Sequence, residues 1–243
     1  MDEKSSRTSC GVRRQKKQEI EEDAAIRSAL DNIRHKFIVM SGKGGVGKTS
    51  VSVNLAIALA AKGFKVGIMD VDIHGPDVPR MLGLKGMLGL NAEQKLIPMK
   101  YSANLNAVSI ESLTPGKDDA IIWRGPIKHS VIRQFIGEVA WGNLDYLIID
   151  SPPGTGDEHI TIAHAIPEAK AVIVTTPQEV SLADVRKSIS FCKTVNMDIF
   201  GLIENMSGFH CPHCDCEIEM FGIGGGEKTA SQAGIRFLGK IPF

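Results

Sequence analysis

The chain has 243 residues, 43% of them hydrophobic, and its 28 basic and 28 acidic residues give a formal net charge of zero. This length allows one large α/β domain or two small ones, and the neutral charge gives no general electrostatic case for nucleic-acid binding. The longest apolar runs, such as 146–149 and 171–174, are far shorter than the roughly 20 residues that span a bilayer. The charged N-terminus is not a signal peptide, so we expect a soluble cytoplasmic protein with no nucleic-acid or membrane partner.

The N-terminal part of the chain differs in character from the rest. Residues 1–18 are rich in Ser, Lys, Arg and Gln, a composition that predicts a disordered polar tail. Across 19–35, Ile26, Leu30 and Ile33 recur at helical spacing, which predicts an amphipathic N-terminal helix. No linker long enough to divide the remainder follows, so we interpret 36–243 as one domain.

Short apolar strands and helices alternate through this domain. The predicted strands are 37–40, 65–69, 104–109, 146–149, 171–175, 199–203 and 236–238, and the predicted helices are 51–62 and 182–195. This alternation predicts an α/β fold: a doubly wound, mainly parallel sheet with helices on both faces. Right-handed crossovers place the loops after the strands along one edge, where ligands bind. Residues 80–98 have weak periodicity and are predicted to form a loop region with little regular structure.

The most specific motif is G-K-G-G-V-G-K-T at 42–49, which fits G-x-x-x-x-G-K-[ST], follows a predicted strand and opens a predicted helix. Its glycines let backbone N–H groups turn towards phosphate oxygens, and the helix N-terminus adds positive potential. Lys48 is predicted to bind the β- and γ-phosphates, and the hydroxyl of Thr49 to hold Mg²⁺. The residues predicted to form this nucleotide-binding loop are Gly42, Gly44, Gly45, Val46, Gly47, Lys48, Thr49 and Ser50.

Acidic residues follow two of the predicted strands at the same edge. Asp72 is placed to orient an attacking water, whereas Asp70 is expected to shape the turn. Asp150 ends an apolar run, as a Walker B acid does, and is predicted to hold a Mg²⁺-bound water. It leads into S-P-P-G-T-G-D at 151–157, where the backbone N–H of Gly154 is predicted to reach the γ-phosphate as part of a switch loop.

A second lysine, Lys43, stands at the start of the phosphate loop, where the general motif does not need one. With it the loop resembles that of the deviant Walker A ATPases, which include MinD, ParA, the nitrogenase iron protein and the Mrp/Nbp-type proteins. The resemblance implies a MinD-like (SIMIBI) P-loop NTPase fold and a homodimer. It also implies that Lys43 contacts the partner's nucleotide, as a cation supplied in trans against transition-state charge.

Three further segments indicate one branch of this group. D-V-D-I-H-G-P-D-V-P-R-M-L-G at 70–83, D-S-P-P-G-T-G-D-E at 150–158 and E-N-M-S-G-F at 204–209 resemble the Mrp/Nbp-type (ApbC-like) pattern, and the likeness runs from about Lys36 to Phe243. Proteins of this type are ATP-dependent iron–sulfur cluster carriers. The resemblance therefore implies slow ATP hydrolysis and transfer of a cluster to apo iron–sulfur proteins. It also makes Asn205 an adenine-recognition residue, since an amide can both donate and accept.

Cysteines are odd in number and clustered, without a secretion signal, which argues against a disulfide framework. They are Cys10, Cys192, Cys211, Cys214 and Cys216. Cys192 lies in a helical pattern and is interpreted as a small buried hydrophobe. Cys211, Cys214 and Cys216 fall in a cysteine loop at 208–226. The resemblance implies that Cys211 and Cys214 are cluster ligands. Since a cluster needs about four thiolates, two chains would together hold one. We expect the 4Fe–4S type, although the thiolate count leaves [2Fe–2S] open.

Other interpretations of the cysteine loop remain open. Four thiolates from two chains also make a tetrahedral zinc site, so zinc is a possible substitute metal. His210 and His213 are less favoured ligands than the cysteines. Cys216 is a spare ligand, a holding thiol during transfer, or a bystander. G-I-G-G-G-E-K-T at 222–229 lacks a preceding strand and is interpreted as a flexible loop.

An alternative function is that of a ParA- or MinD-like positioning ATPase, although no folded segment is strongly basic. The chain also departs from the Mrp/Nbp pattern. Asp77 stands where serine is usual, and Cys10 alone cannot replace the N-terminal four-cysteine cluster of the eukaryotic Nbp branch. We expect relatives to continue past Phe243 by about one helix and one strand, so the C-terminus is interpreted as shortened or truncated.

Overall fold

The computed structural model describes residues 20–73, 75–113, 125–214, 216–218, 222 and 224–243. The predicted tail at 1–18, with Cys10, lies outside these ranges. The helices are α1, of which 20–30 are described, α2 (Lys48–Ala61), α3 (Val78–Met81), α4 (Gly125–Glu138), α5 (Asp157–Ala165), α6 (Glu179–Thr194) and α7 (Gly225–Ala233), with a 3₁₀ turn at Ile110–Leu113. The strands are β1 (Ile33–Ser41), β2 (Val66–Asp70), β3 (Gly89–Leu90), β4 (Leu96–Ile97), β5 (Met99–Lys100), β6 (Leu105–Ser109), β7 (Leu144–Asp150), β8 (Lys170–Thr175), β9 (Ile199–Asn205), β10 (Phe209–His210), β11 (Glu217–Ile218) and β12 (Phe237–Ile241).

The central sheet has eight strands in the order β12-β9-β8-β1-β7-β2-β6-β5. Each neighbouring pair is parallel except β5 and β6, which run antiparallel. The predicted doubly wound, mainly parallel sheet is therefore confirmed. Within it Asp70 lies directly opposite Asp150 in the register of β2 and β7, so both acids stand at the same edge.

Two hydrophobic cores lie on the two faces of this sheet, because successive strand side chains point to opposite faces. Ile38 and Met40 of β1 belong to one core, together with apolar residues of α1, α4, α5, α6 and α7. Val39, between them, belongs to the other core, which packs against α2 and the residues around α3. Helices thus cover both faces, and the loops that follow the strands are left free at one edge.

The N-terminal helix is shorter than the prediction of 19–35. It ends at residue 30, and β1 begins at Ile33. Ile33 is buried like Ile26 and Leu30, but it pairs with Leu144 of β7 as part of a strand. The apolar spacing correctly predicted that Ile26, Leu30 and Ile33 are buried. Ile33 is nevertheless a strand residue, because it pairs with β7.

Two segments predicted to be irregular contain regular structure. Residues 80–98 hold the end of α3 and a small hairpin in which Leu90 pairs with Leu96, and Leu96 also bridges to Val139. In the segment 222–229, predicted as a flexible loop, α7 begins at Gly225. Within the predicted cysteine loop at 208–226, the described residues include the β10–β11 hairpin and the start of that helix.

Candidate functional site

The phosphate-loop motif joins β1 to α2, as predicted. Gly45 and Gly47 have φ of 77° and 78°, a left-handed conformation that favours glycine. At Gly47 space is also restrictive, since an added Cβ would lie 2.2 Å from Nδ2 of Asn205. Gly42 is similarly tight, because its Cβ would lie 2.4 Å from the backbone carbon of Asp184. The loop is a close-fitting backbone turn with α2 starting at Lys48.

A cavity of about 400 Å³ opens over this loop. The predicted residues that line it are Lys43, Gly44, Gly45, Gly47, Lys48, Thr49, Ser50 and Asp72. Residues that were not predicted also contribute, namely Ser41, Gly75, Asp77, Met81 and Pro153. The side chain of Val46 is buried in the core beneath the loop. The structure therefore brings the basic loop and the acidic turn after β2 together around one space.

Lys48 and Asp150 form a buried ion pair beneath the cavity, with 2.8 Å between Nζ and Oδ2. The hydroxyl of Thr49 donates to Oδ2 of Asp150 at 2.7 Å, and that of Ser52 donates to Oδ1 at 2.6 Å. A hydroxyl beside a carboxylate is a hard oxygen donor set that suits Mg²⁺. Ser52 was not among the predicted site residues, although it lies one turn after Lys48 and so shares its helix face.

Asp70 holds the turn that carries Asp72. Its Oδ1 accepts from the backbone N–H of Asp72 and its Oδ2 from that of Val78, each at 3.1 Å. Burial raises the pKa of Asp70 well above its ordinary value, and the charge of Asp150 adds to this. Asp72 itself accepts from the N–H of Gly75 at 3.2 Å and lines the cavity. The turn after β2 is thus fixed by backbone bonds to two carboxylates.

The segment after β7 is tied to β1. Ser151 donates its hydroxyl to the carbonyl of Val39 at 2.8 Å and lies 3.1 Å from Nε2 of His159. Burial lowers the pKa of His159 to about 4, so its ring is neutral at pH 7. The N–H of Gly154, predicted to reach the γ-phosphate, here donates to the carbonyl of Ser41 at 2.9 Å. That predicted contact requires this bond to open.

Asn205 ends β9 beside the phosphate loop. Its Nδ2 donates to the carbonyl of Val46 at 2.9 Å, and its side chain is buried. The amide nitrogen predicted to read adenine is therefore engaged with the loop backbone. Adenine recognition by Asn205 stays a prediction, and it calls for this bond to be exchanged or for the amide oxygen to be used.

The cysteine motif forms the tip of the β10–β11 hairpin. The N–H of Cys211 donates to the carbonyl of Cys216 at 3.0 Å, which closes the turn. Cys211 is half-buried, whereas Cys214, Cys216 and His213 are exposed. A hydrogen bond to the backbone of Cys216, with further ones to the thiols of Cys216 and Cys211, lowers the pKa of Cys214. The three thiols are thus gathered at one exposed turn.

Cys192 is different from these three. It is fully buried on α6, with its Sγ 3.6 Å from the sulfur of Met40, and burial raises its pKa to about 11. It packs as a small hydrophobe, as predicted. In the described ranges, no three His, Cys, Asp or Glu residues are arranged to hold a metal ion. Nor does any helix of those ranges have both the length and the apolar character needed to cross a membrane.

Comparison with known proteins matches most of the chain. An iron–sulfur cluster carrier protein of Methanocaldococcus jannaschii is 50% identical over 223 residues, which cover 91% of this chain and 77% of that protein. The cytosolic Fe-S cluster assembly factor NUBP2 of Rattus norvegicus is 46% identical over 226 residues, which cover 91% and 83% respectively.

Solved structures agree with the fold. A nucleotide-binding protein from Archaeoglobus fulgidus, in complex with ADP, has a TM-score of 0.80 and 39% identity, covering 91% of this chain and 86% of that one. The cell division protein MinD of Aquifex aeolicus has a TM-score of 0.59 and 23% identity, covering 86% and 81%, and shares the fold. A family model for the NUBPL iron-transfer P-loop NTPases, of the ParA type, matches residues 32–243. The chain belongs to this family of NUBPL-type P-loop NTPases.

Proposed function

We propose that this protein hydrolyses ATP and carries an iron–sulfur cluster, held between two copies of the chain, which it delivers to apo iron–sulfur proteins. The observation that carries the proposal is the exposed thiol turn directly after β9, the strand whose last residue, Asn205, contacts the phosphate loop. Relatives at about half identity are named cluster carriers and cytosolic assembly factors, which supports this cargo and a cytosolic location.

Nucleotide binding would use the groups around the cavity. The N–H groups of the loop and the cation of Lys48 suit the phosphates, and Lys48 would turn from Asp150 towards them. The hydroxyl of Thr49 and the carboxylate of Asp150 are the groups that would hold Mg²⁺, which neutralises phosphate charge when bound. Asp72 would orient the water that attacks the γ-phosphate, to give ADP and phosphate. Gly154 would add a backbone N–H once its bond to Ser41 opens.

Dimer formation would complete both the nucleotide and the cluster sites. Lys43 lines the cavity and would reach the nucleotide of the partner in the dimer. Cys211 and Cys214 of two chains supply the four thiolates that a [4Fe–4S] cluster requires. Because nucleotide would favour the closed dimer, ATP binding and hydrolysis would change how firmly the cluster is held.

Anaerobic reconstitution with iron and sulfide tests the cargo. The protein should gain iron, sulfide and a broad visible absorption, and Cys211→Ala or Cys214→Ala should lose them. Cys192→Ala is the matched control, since that thiol is buried away from the turn. Zinc without sulfide at the same cysteines would favour a structural metal site instead, and variants that keep a full cluster would remove these residues as ligands.

A further inference from the structure

The second glycine-rich segment, at 222–229, binds a carboxylate of the protein itself. Glu204, fully buried in β9, accepts from the N–H of Gly224 at 3.1 Å through Oε1 and from that of Gly226 through Oε2. The start of α7 therefore surrounds a side-chain anion in the way that phosphate loops surround phosphate. This capping explains why a segment with three consecutive glycines begins a helix.

These glycines are needed for the close approach. Gly224 has a φ of 80°, in the left-handed region. A Cβ on Gly226 would lie 2.9 Å from Oε2 of Glu204, and one on Gly225 would lie 2.5 Å from Cδ1 of Leu182. The close approach of Gly226 and Glu204 therefore depends on glycine, and the carboxylate already occupies the N–H groups of Gly224 and Gly226.

Glu204 also holds the other end of the cysteine hairpin. Its Oε1 accepts from the hydroxyl of Ser207 at 2.5 Å, just before the hairpin begins. One carboxylate therefore bonds to Ser207, before the hairpin, and to Gly224 and Gly226, after it. The thiol turn is tethered to the sheet at this buried point.

On the opposite face of the same strand end lies the phosphate loop. Asn205 follows Glu204, and neighbouring strand residues point to opposite faces. Asn205 donates to the carbonyl of Val46, while Glu204 binds the base of the cysteine hairpin. Both residues pair with β12, and Glu204 also pairs with Thr175 of β8, so one hydrogen-bonded strand carries both side chains.

We infer that Glu204 is a positioning residue that transmits the state of the phosphate loop to the cysteine turn. When nucleotide displaces the loop backbone at Val46, Asn205 follows, and the adjoining Glu204 shifts both stems of the hairpin together. This deepens the proposed function and rests on it for the identity of the cargo. The mechanical link can be tested without any cluster.

Hydrogen exchange of the amides in 208–226 provides that test, measured on metal-free protein alone and with a non-hydrolysable ATP analogue plus Mg²⁺. In the parent protein, nucleotide should change exchange in both the phosphate loop and 208–226. Glu204→Gln places an amide N–H₂ against N–H donors, so exchange in 208–226 should rise about tenfold or more. Its nucleotide dependence should be lost there while the phosphate loop still responds.

Glu227→Gln is the matched control, because Glu227 lies in the first turn of the same helix but is exposed. It should behave as the parent protein does. Ser207→Ala, which removes one donor only, should give a smaller loss of the same kind and serves if Glu204→Gln does not fold. A nucleotide response in 208–226 that survives Glu204→Gln or is unchanged in Ser207→Ala, or that is absent from the parent protein, would overturn the inference. Absence of a cluster on reconstitution would instead count against the proposed function.

Discussion

Lys48 and Asp150 neutralise one another in the interior of the protein: 2.8 Å separates their charged atoms, and their side chains are 7% and 1% exposed. Nucleotide phosphates would have to compete with Asp150 for this lysine. Asp150 keeps two other donors, Thr49 and Ser52, so it would not be left alone when Lys48 turns away. The pair thus holds Lys48, the cation proposed to bind phosphate, with its charge balanced by Asp150.

Replacing Lys48 by methionine should abolish ATP binding and also destabilise the fold. The variant leaves a buried carboxylate without its cation, which typically costs about 3–5 kcal/mol, although Thr49 and Ser52 reduce the loss. Urea unfolding and a fluorescent-nucleotide titration measure the two effects. Lys62→Met, at an exposed position after α2, should change neither. Wild-type nucleotide affinity in Lys48→Met would contradict the assignment.

Ser52→Ala should impair catalysis more than binding. It removes the 2.6 Å bond that orients Oδ1 of Asp150 but leaves every lining residue of the cavity in place. We expect kcat to fall about tenfold with a small change in KM, and stability to fall by about 1–2 kcal/mol. Steady-state phosphate release measures the split, and Asn54→Ala, exposed on α2, is the control. A rise in KM of about tenfold with unchanged kcat would show that Ser52 acts on binding alone.

His159 makes stability depend on pH. Burial lowers its pKa to about 4, against about 6.5 in the unfolded chain. The unfolded state therefore binds a proton at pH values where the folded state does not, so stability is lost as pH falls from about 6.5 to about 4. Between pH 7.5 and 5 this loss is about 2 kcal/mol.

His159→Gln should remove that part of the pH dependence. Its amide can still donate to Ser151 but does not titrate in this range. Urea unfolding at pH 7.5 and pH 5 measures the slope, with His164→Gln, an exposed change on the same helix, as control. An unaltered slope in His159→Gln would assign the pH dependence to other groups.

Asp77→Ser should tighten ATP binding. Asp77 lines the cavity and is half-exposed, with its charge partly balanced by Arg80 at 3.3 Å. Because solvent screens this carboxylate, we expect only about a two- to threefold gain in affinity, largest at low salt. Nucleotide titrations at low and high salt measure it. A weaker affinity in Asp77→Ser would instead indicate that the carboxylate contributes to binding.

The parts of the fold that the sequence predicted have strong local signals. The apolar run at 146–149 could be recognised as a strand, and the glycine pattern at 42–49 as a phosphate loop, without knowledge of their neighbours. Asp150 and Asp72 could be brought to that loop because parallel strands end at a common edge.

What could not be predicted depends on contacts between distant segments. The helix α7 begins with two glycines, poor helix formers, because Glu204 supplies an anion to its first N–H groups. Ser52 fell within a predicted helix and Glu204 just after a predicted strand, and neither had a predicted role, since their partners lie 98 and 22 positions away. Ile33 likewise fits a helical pattern until pairing with Leu144 makes it a strand residue.

The central claim, a cluster shared by two chains, is tested most directly by the native mass of the anaerobically reconstituted protein. For the parent protein we predict a dimer that carries one [4Fe–4S] cluster, and any monomer should carry none. Dimers of Cys211→Ala or Cys214→Ala should also lack a cluster. Cys216→Ala should still give the dimer with its cluster if Cys216 is a bystander. A monomer that carries its own complete cluster would contradict the claim that each chain supplies half of the site.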